Sequence, residues 1–130
     1  MRFDLPESIE AMRAGRKTQT RRRSTYWLGK CVGSRITIAH RGQLVGWATV
    51  HDTYQQRLYR MTDNEAMAEG YADLDAFLKA WASLYPPRNW QKMLDTIVTV
   101  VEFGNIRWRK EAASSDLSAP AKDTAKDGGR

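Results

Sequence analysis

Alternating apolar and polar residues predict antiparallel strands in the first half of the chain. Residues 35–40 alternate in this way, and residues 44–50, which include Trp47, are predicted to form the returning strand after the short turn Arg41-Gly42-Gln43. Two strands joined by so short a loop must run antiparallel. Residues 96–103 are rich in β-branched side chains, which predicts a further buried strand that Ile106 and Trp108 could extend.

Helical spacing marks a first helix close to the N terminus. Leu5, Ile9 and Met12 fall on one helical face. Pro6 suits the first helical position, because its missing N–H would be unpaired there in any case. Gly15 stands where the end of a helix favours a left-handed residue. The end of this helix therefore determines the position of the residues that follow Gly15.

Two further helices are predicted between residues 62 and 85. The sequence Thr62-Asp63-Asn64-Glu65 matches a capping box, and Gly70 ends the short helix that this box begins. Asp73 is suited to cap a second helix, which Pro86-Pro87 ends. The apolar residues of this second helix recur at helical spacing and are expected to face the core: Leu74, Phe77, Leu78, Trp81, Leu84 and Tyr85.

These elements predict an α+β fold. The helices are too few for a bundle and there is no βαβ repeat, so antiparallel strands with one helical insertion suggest a small β-barrel with helices at its rim. From residue 112 onward the chain has one leucine and no aromatic residue. Such a segment cannot bury enough apolar surface to offset the entropy of ordering. We therefore expect one domain over residues 1–111 and a disordered tail over residues 112–130.

The charge of the chain favours an anionic partner. The net charge is +6, and residues 112–130 hold three basic and three acidic residues, so all of the excess lies in residues 1–111. Such an excess of positive charge is most often used to bind nucleic acid. The single cysteine, Cys31, excludes an internal disulfide, and His40 and His51 lack the spacing of metal ligands, so neither a metal nor a cofactor is expected.

No apolar run approaches the roughly 20 residues of a membrane span, and a signal peptide is not expected. A cytoplasmic protein without a membrane partner is therefore expected. The oligomeric state stays open.

A basic run extends from Gly15 to Arg23, with the sequence GRKTQTRRR. A globular core gains nothing from such a run, because each charge must stay hydrated or find a partner. The run is either a solvated turn after a helix or part of a site. Lys17 and Thr20 stand close enough to work as one unit, and an acidic segment that includes Glu69 could face them.

The pattern Gly15-x-Lys17-x4-Arg22 resembles the signature of the ASCH domain family, which is related to the PUA domains. The surrounding order of elements agrees over residues 1 to about 108, including Thr62-x-x-Glu65-Ala66-x-x-Glu69-Gly70. The resemblance implies a PUA-like barrel of about five or six strands with a cleft that binds RNA or nucleosides. Ser34 departs from the family, because many relatives have an aspartate at this position.

The chain is similar at more positions to the bacterial N4-acetylcytidine amidohydrolases, and this resemblance implies catalytic roles for Lys17, Thr20 and Glu69. Hydrolysis of an acyl amide needs a nucleophile, a base and an acid for the leaving amine. Thr20 would supply the hydroxyl, and Lys17 would be the base if desolvation and the neighbouring arginines favour its neutral form. Glu69 would orient Lys17 or pass a proton to the amine, and Arg22 would stabilise the oxyanion or hold the sugar.

Two alternatives to amide hydrolysis stay open. In a non-catalytic RNA-binding module, Lys17 would bind phosphate and aromatic residues would stack on bases. A ribonuclease is the other alternative, an activity that has been proposed for some ASCH proteins. A nucleoside amidase predicts a closed pocket, whereas an RNA-binding module predicts an open groove. The residues expected to bind substrate or RNA are Gly15, Arg16, Arg21, Arg22, Arg23, Tyr26 and Trp27.

Overall fold

The computed structural model of the chain describes residues 1–30 and 32–110. The predicted tail over residues 112–130 lies outside these residues. The helices are α1 (Pro6–Arg13), α2 (Asp63–Ala68), α3 (Leu74–Leu84) and α4 (Trp90–Leu94), with a single 3-10 turn at Leu58–Arg60. The strands are β1 (Gln19–Arg22), β2 (Arg35–His40), β3 (Gln43–Arg57) and β4 (Ile97–Trp108).

The strands form one antiparallel sheet in the order β1-β4-β3-β2. Arg41 and Gly42 connect β2 to β3, and both have positive φ, as a two-residue hairpin turn requires. Strand β3 continues to Arg57, well beyond its predicted end at Val50. The register of its pairing with β4 shifts twice, and such bulges bend a long strand.

The expected barrel of five or six strands is wrong, because the described residues form a four-stranded sheet that stays open. The N-terminal segment adds one parallel bridge beside β2, in which Phe3 N donates to Ala39 O at 2.8 Å. Strand β1 is linked to this segment by a side chain, since Arg22 Nη2 donates to Arg2 O at 2.7 Å. A side-chain contact does not continue a backbone ladder, so the two edges do not join. The α+β class is confirmed.

The helix caps follow the local sequence. Thr62 Oγ1 accepts a hydrogen bond from Glu65 N, and Glu65 Oε1 accepts one from Thr62 N, which completes the predicted capping box. Asp73 Oδ1 accepts from Ala76 N at 2.8 Å and caps α3. Helix α4 was not predicted, because five residues are too few to show helical spacing. Asn89 caps α4 through Lys92 N.

Two apolar clusters cover the two faces of the sheet. One contains Val100 with residues of α3 and α4, and the other contains Val101 with the N-terminal segment and β2. These neighbours in β4 belong to different clusters because successive strand residues point to opposite faces. The α3 stripe buries Phe77, Leu78 and Trp81, whereas Leu84 and Tyr85 remain partly exposed at its end. None of the described helices is long and apolar enough to cross a membrane.

Candidate functional site

The basic run leaves α1 through a fixed backbone path. Gly15 has φ +77°, which ends α1 in the left-handed region. Lys17 N then donates to Ala11 O at 3.2 Å, and Thr18 N donates to Ala68 O at 2.7 Å. Thr18 O accepts from Phe103 N at 3.0 Å. These contacts hold Lys17 between α1, the end of α2 and β4.

Lys17 forms a buried ion pair with Glu69. Its Nζ donates to Glu69 Oε1 at 3.0 Å and to the Glu69 carbonyl oxygen at 2.9 Å, and each side chain is 4% exposed. Beside this pair, Gly70 allows the end of α2 to pack closely against α1. Its φ is +99°, and a Cβ there would lie 3.0 Å from Ala11 Cβ.

Arg21 binds the other oxygen of the same carboxylate. Its Nη1 donates to Glu69 Oε2 and Gln19 Oε1, both at 2.9 Å, and its Nη2 donates to Gln56 Oε1 at 2.9 Å and Glu65 Oε2 at 3.2 Å. Its Nε also donates to Gln56 Oε1, at 3.0 Å. The side chain is wholly buried. Arg21 therefore fixes the orientation of Glu69, and its donors are all used within the protein.

A cavity of about 230 Å³ opens beside this network. Its polar lining comes from the basic run and from Glu69, and includes Lys17, Thr20, Arg21 and Arg22. Its aromatic lining consists of Phe3, Tyr71, Phe77, Trp81 and Tyr85. The predicted catalytic residues Lys17, Thr20 and Glu69 thus line one cavity, and their roles remain predictions.

Thr20 is buried and lines the cavity, and its hydroxyl makes no hydrogen bond with any described residue. Two N–H groups of the Lys17 ammonium bind Glu69, which leaves the third for a bound molecule. Lys17 is therefore paired with Glu69 rather than with Thr20. Catalytic hydrogen bonds often form only when substrate is bound, so this arrangement is compatible with either role of Lys17.

Two other cavity residues have perturbed acid–base properties. Burial lowers the pKa of the Arg22 guanidinium, which still stays protonated, and the Glu69 carboxylate acts in the opposite direction. Burial raises the pKa of the Tyr71 phenol, and the charges of Glu69 and Glu7 add to this effect. A raised pKa keeps the phenol protonated to higher pH than that of an ordinary tyrosine.

Several residues predicted to bind substrate or RNA do not line the cavity: Gly15, Arg16, Arg23, Tyr26 and Trp27. Tyr26 is exposed and packs edge-on against Trp27, with ring centroids 5.0 Å apart, and Lys30 Nζ lies 4.7 Å from its centroid. Arg23 is closer to the cavity, because its guanidinium carbon lies 4.6 Å from the ring centroid of Tyr85, which does line it.

The sequence interpretation missed the aromatic lining. Phe77 and Trp81 were assigned to the core, and they belong to it while also facing the cavity. Tyr71 follows directly after Glu69-Gly70, and this adjacency was the signal available in the sequence. The apolar stripe of α3 also extends as far as Tyr85, beyond what the core covers.

The described residues contain no cluster of three or more histidine, cysteine, aspartate or glutamate side chains arranged to hold a metal ion. The buried carboxylate of Glu69 and the partly buried one of Glu65 are bound instead by Arg21 and Lys17.

Comparisons with known proteins support the fold. No protein-family model matches the chain, and no curated protein sequence matches it. An ASCH domain structure from Lactobacillus crispatus superposes with a TM-score of 0.64 at 13% identity, covering 82% of this chain and 77% of that one. A protein of the family DUF984 from Enterococcus faecalis superposes with a TM-score of 0.52 at 19% identity, over 72% of this chain and 63% of that one. The resemblance seen in the sequence is thus confirmed for the fold: the chain has the α+β fold of an ASCH domain.

Proposed function

We propose that the chain is an ASCH-domain protein whose cavity binds a nucleoside or an exposed RNA nucleotide and hydrolyses the acyl amide of N4-acetylcytidine. The observation that carries this proposal is the buried pair of Lys17 and Glu69. It lines the same cavity as the Thr20 hydroxyl, which forms no hydrogen bond with the described residues.

The cavity lining suits a nucleobase. Aromatic side chains offer flat apolar surface to a planar ring, and a few polar groups can hydrogen-bond the edge of the base. Tyr71 and Trp81 are candidates for the first role, and Lys17 and Arg22 for the second. A volume of about 230 Å³ favours a single nucleoside over a longer track.

The chemistry would proceed through an acyl-enzyme. The Lys17 ammonium would first release one proton to water and become a neutral amine. Thr20 Oγ then attacks the carbonyl carbon of the acetamide, and its proton passes to this amine while the carbonyl oxygen becomes an oxyanion facing Arg22. The C–N4 bond then breaks as Lys17 returns the proton to the amine of cytidine. Water hydrolyses the acetyl ester and releases acetate. Glu69, bound on its other oxygen by Arg21, would keep the Lys17 amine in place.

A binding module without catalysis is the second candidate. The observation that favours it is that Lys17 donates to Glu69 rather than to Thr20, as a lysine with a purely electrostatic role would. In that case Lys17 and Arg22 would bind polar groups of the ligand, and Thr20 would be a residue of strand β1 without a catalytic role. No observation in the described part of the chain favours ribonuclease activity over these two.

The test is incubation of the protein with N4-acetylcytidine, followed by chromatography of cytidine and acetate. Thr20→Ser should retain some turnover, and Thr20→Ala should lose about 100-fold or more. Lys17→Arg should lose as much as Lys17→Ala, because a guanidinium does not deprotonate near neutral pH. Lys79→Ala is the control, since Lys79 is 73% exposed and pairs with Asp75 at the surface.

The two candidates predict opposite orders for the lysine variants. A binding module predicts that Lys17→Arg binds nucleoside nearly as well as the parent and that Lys17→Ala binds poorly. Absence of acetate release from the parent protein, together with that order of binding, would refute hydrolysis and leave the binding module.

A further inference from the structure

The cations that line the cavity already have acceptors within the protein. Lys17 binds Glu69, and Arg21 binds carboxylate and amide oxygens on all sides. Arg22 donates to the Arg2 carbonyl oxygen, and Arg2 donates to Asp4 at 2.7 Å. These contacts hold the cations in place. They use all the N–H groups of Arg21 and two of the three of Lys17, and the N–H groups that Arg22 keeps are assigned to the acyl oxyanion in the proposed function.

Arg23 differs from these cations. It is exposed and makes neither a hydrogen bond nor an ion pair with a described residue. Its position is nevertheless defined, because its guanidinium carbon lies 4.6 Å from the centroid of the Tyr85 ring. A guanidinium stacked on an aromatic face keeps the N–H groups at its edge free for oxygen acceptors.

Tyr85 connects this cation to the cavity. Its ring lines the cavity and packs against Trp81, with centroids 4.7 Å apart. Arg23 is thus one aromatic ring away from the cavity, at the exposed end of α3. Asp4, an acidic residue that lines the cavity, is bound by Arg2 and by the Arg41 N–H, so its charge is compensated.

We propose that Arg23 and Tyr85 form a phosphate subsite, so that the ligand of the cavity is a nucleotide and not an unphosphorylated nucleoside. This inference rests on the proposed function, because the base of the same ligand would occupy the cavity. The planar fork of a guanidinium matches two oxygens of a phosphate, which a neutral nucleoside lacks. The phosphate would belong either to a free mononucleotide or to a nucleotide within RNA.

The test compares the affinities of cytidine, cytidine 5′-monophosphate, cytidine 3′-monophosphate and a short cytidine oligonucleotide, measured by calorimetry. At least one monophosphate should bind about tenfold more tightly than cytidine, as a charge-assisted contact allows. Tight binding of a mononucleotide alone identifies a free nucleotide. Tight binding of the oligonucleotide as well identifies RNA.

Two variants assign this preference to Arg23. Arg23→Gln should bind cytidine as the parent does and should lose the preference for phosphate. Arg13→Gln is the matched control, because Arg13 is also exposed and its guanidinium carbon lies 4.1 Å from the Trp108 ring centroid, away from the cavity. It removes the same charge and the same kind of stacking, and it should keep the preference.

The remaining outcomes contradict the proposal. Equal affinities for cytidine and its monophosphates would overturn the subsite while leaving the nucleoside cavity intact. A preference for phosphate that survives in Arg23→Gln would also overturn the subsite, because another residue would then bind the phosphate. A preference that Arg13→Gln loses as well would overturn it too, because the net charge would then be the cause. Failure of every one of these probes to bind would refute the subsite, and release of acetate from N4-acetylcytidine would then decide the proposed function separately.

Discussion

At the scale of single residues, Glu69 is the centre of the site. Each of its carboxylate oxygens binds one buried cation, Lys17 on one side and Arg21 on the other. Glu65, whose side chain is 22% exposed, supplies a second carboxylate to Arg21, so two cations face two carboxylates. A buried charge is tolerated only with such partners, since removal of one partner leaves the other desolvated and unpaired.

We predict that Glu69→Gln destabilises the protein more than Lys17→Met does. The glutamate variant leaves Arg21 with Glu65 alone and takes from Lys17 the carboxylate it binds, so it should lower the free energy of unfolding by about 3–5 kcal/mol. The lysine variant leaves Glu69 paired with Arg21 and should lose about 1–3 kcal/mol. Urea titration followed by tryptophan fluorescence measures both values.

The exposed pair of Asp75 and Lys79 is the control for this comparison, because its side chains are 70% and 73% exposed. Lys79→Met should change stability by no more than about 0.5 kcal/mol. A loss for Glu69→Gln as small as this control would show that the buried network contributes little to the folded state.

At the scale of elements, Gly70 determines how closely the end of α2 packs against α1. Its φ of +99° favours glycine, and a Cβ would lie 3.0 Å from Ala11 Cβ and 3.7 Å from Lys17 Cβ. We predict that Gly70→Ala lowers the free energy of unfolding by about 2–4 kcal/mol, from backbone strain and crowding combined. The same change should weaken nucleoside binding, because Lys17 moves with the contact.

Gly15→Ala separates the two contributions. Gly15 has a similar positive φ of +77°, but a Cβ there meets no atom within 4 Å. Its substitution should therefore cost about 1 kcal/mol through backbone strain alone. Chemical denaturation of both variants measures the difference, and equal losses would mean that the contact with α1 adds nothing.

At the scale of the whole molecule, we propose that residues 1–111 form the complete folding unit. The last described hydrogen bond of the sheet runs from Arg109 N to Val45 O at 2.8 Å. We expect removal of residues 112–130 to leave the free energy of unfolding almost unchanged. A loss of 1 kcal/mol shifts the midpoint of a domain of this size by ~4–8 °C, so a chain that ends at residue 111 should unfold within about 2 °C of the full chain. Differential scanning calorimetry gives both midpoints.

A shorter chain provides the contrast. Ending the chain at residue 104 removes the pairing of Trp108 with Gly46 and of Arg107 with Trp47. This variant should unfold at a clearly lower temperature. A large drop already in the chain that ends at residue 111 would show that the later residues contribute to the fold.

The sequence by itself determined the features that depend on neighbours along the chain. The capping box joins Thr62 to Glu65, and the hairpin turn needs positive φ at Arg41 and Gly42. The α3 stripe follows from helical spacing. Each of these features joins residues that are close neighbours in the sequence, so local physical chemistry is sufficient to predict them. The resemblance in the basic run extended this to the fold family and to the candidates Lys17, Thr20 and Glu69.

Only the tertiary structure decided what each charge of the basic run does. Arg21 and Arg23 are alike in the sequence, yet one is buried in a network and the other lies exposed on Tyr85. Apart from Gln19, their partners come from the end of α2, β3 and the end of α3, 35 or more residues further along the chain. The open sheet was decided in the same way, because edge pairing depends on where distant backbone segments meet. Burial and pairing over such distances are properties of the packed chain, and no local pattern encodes them.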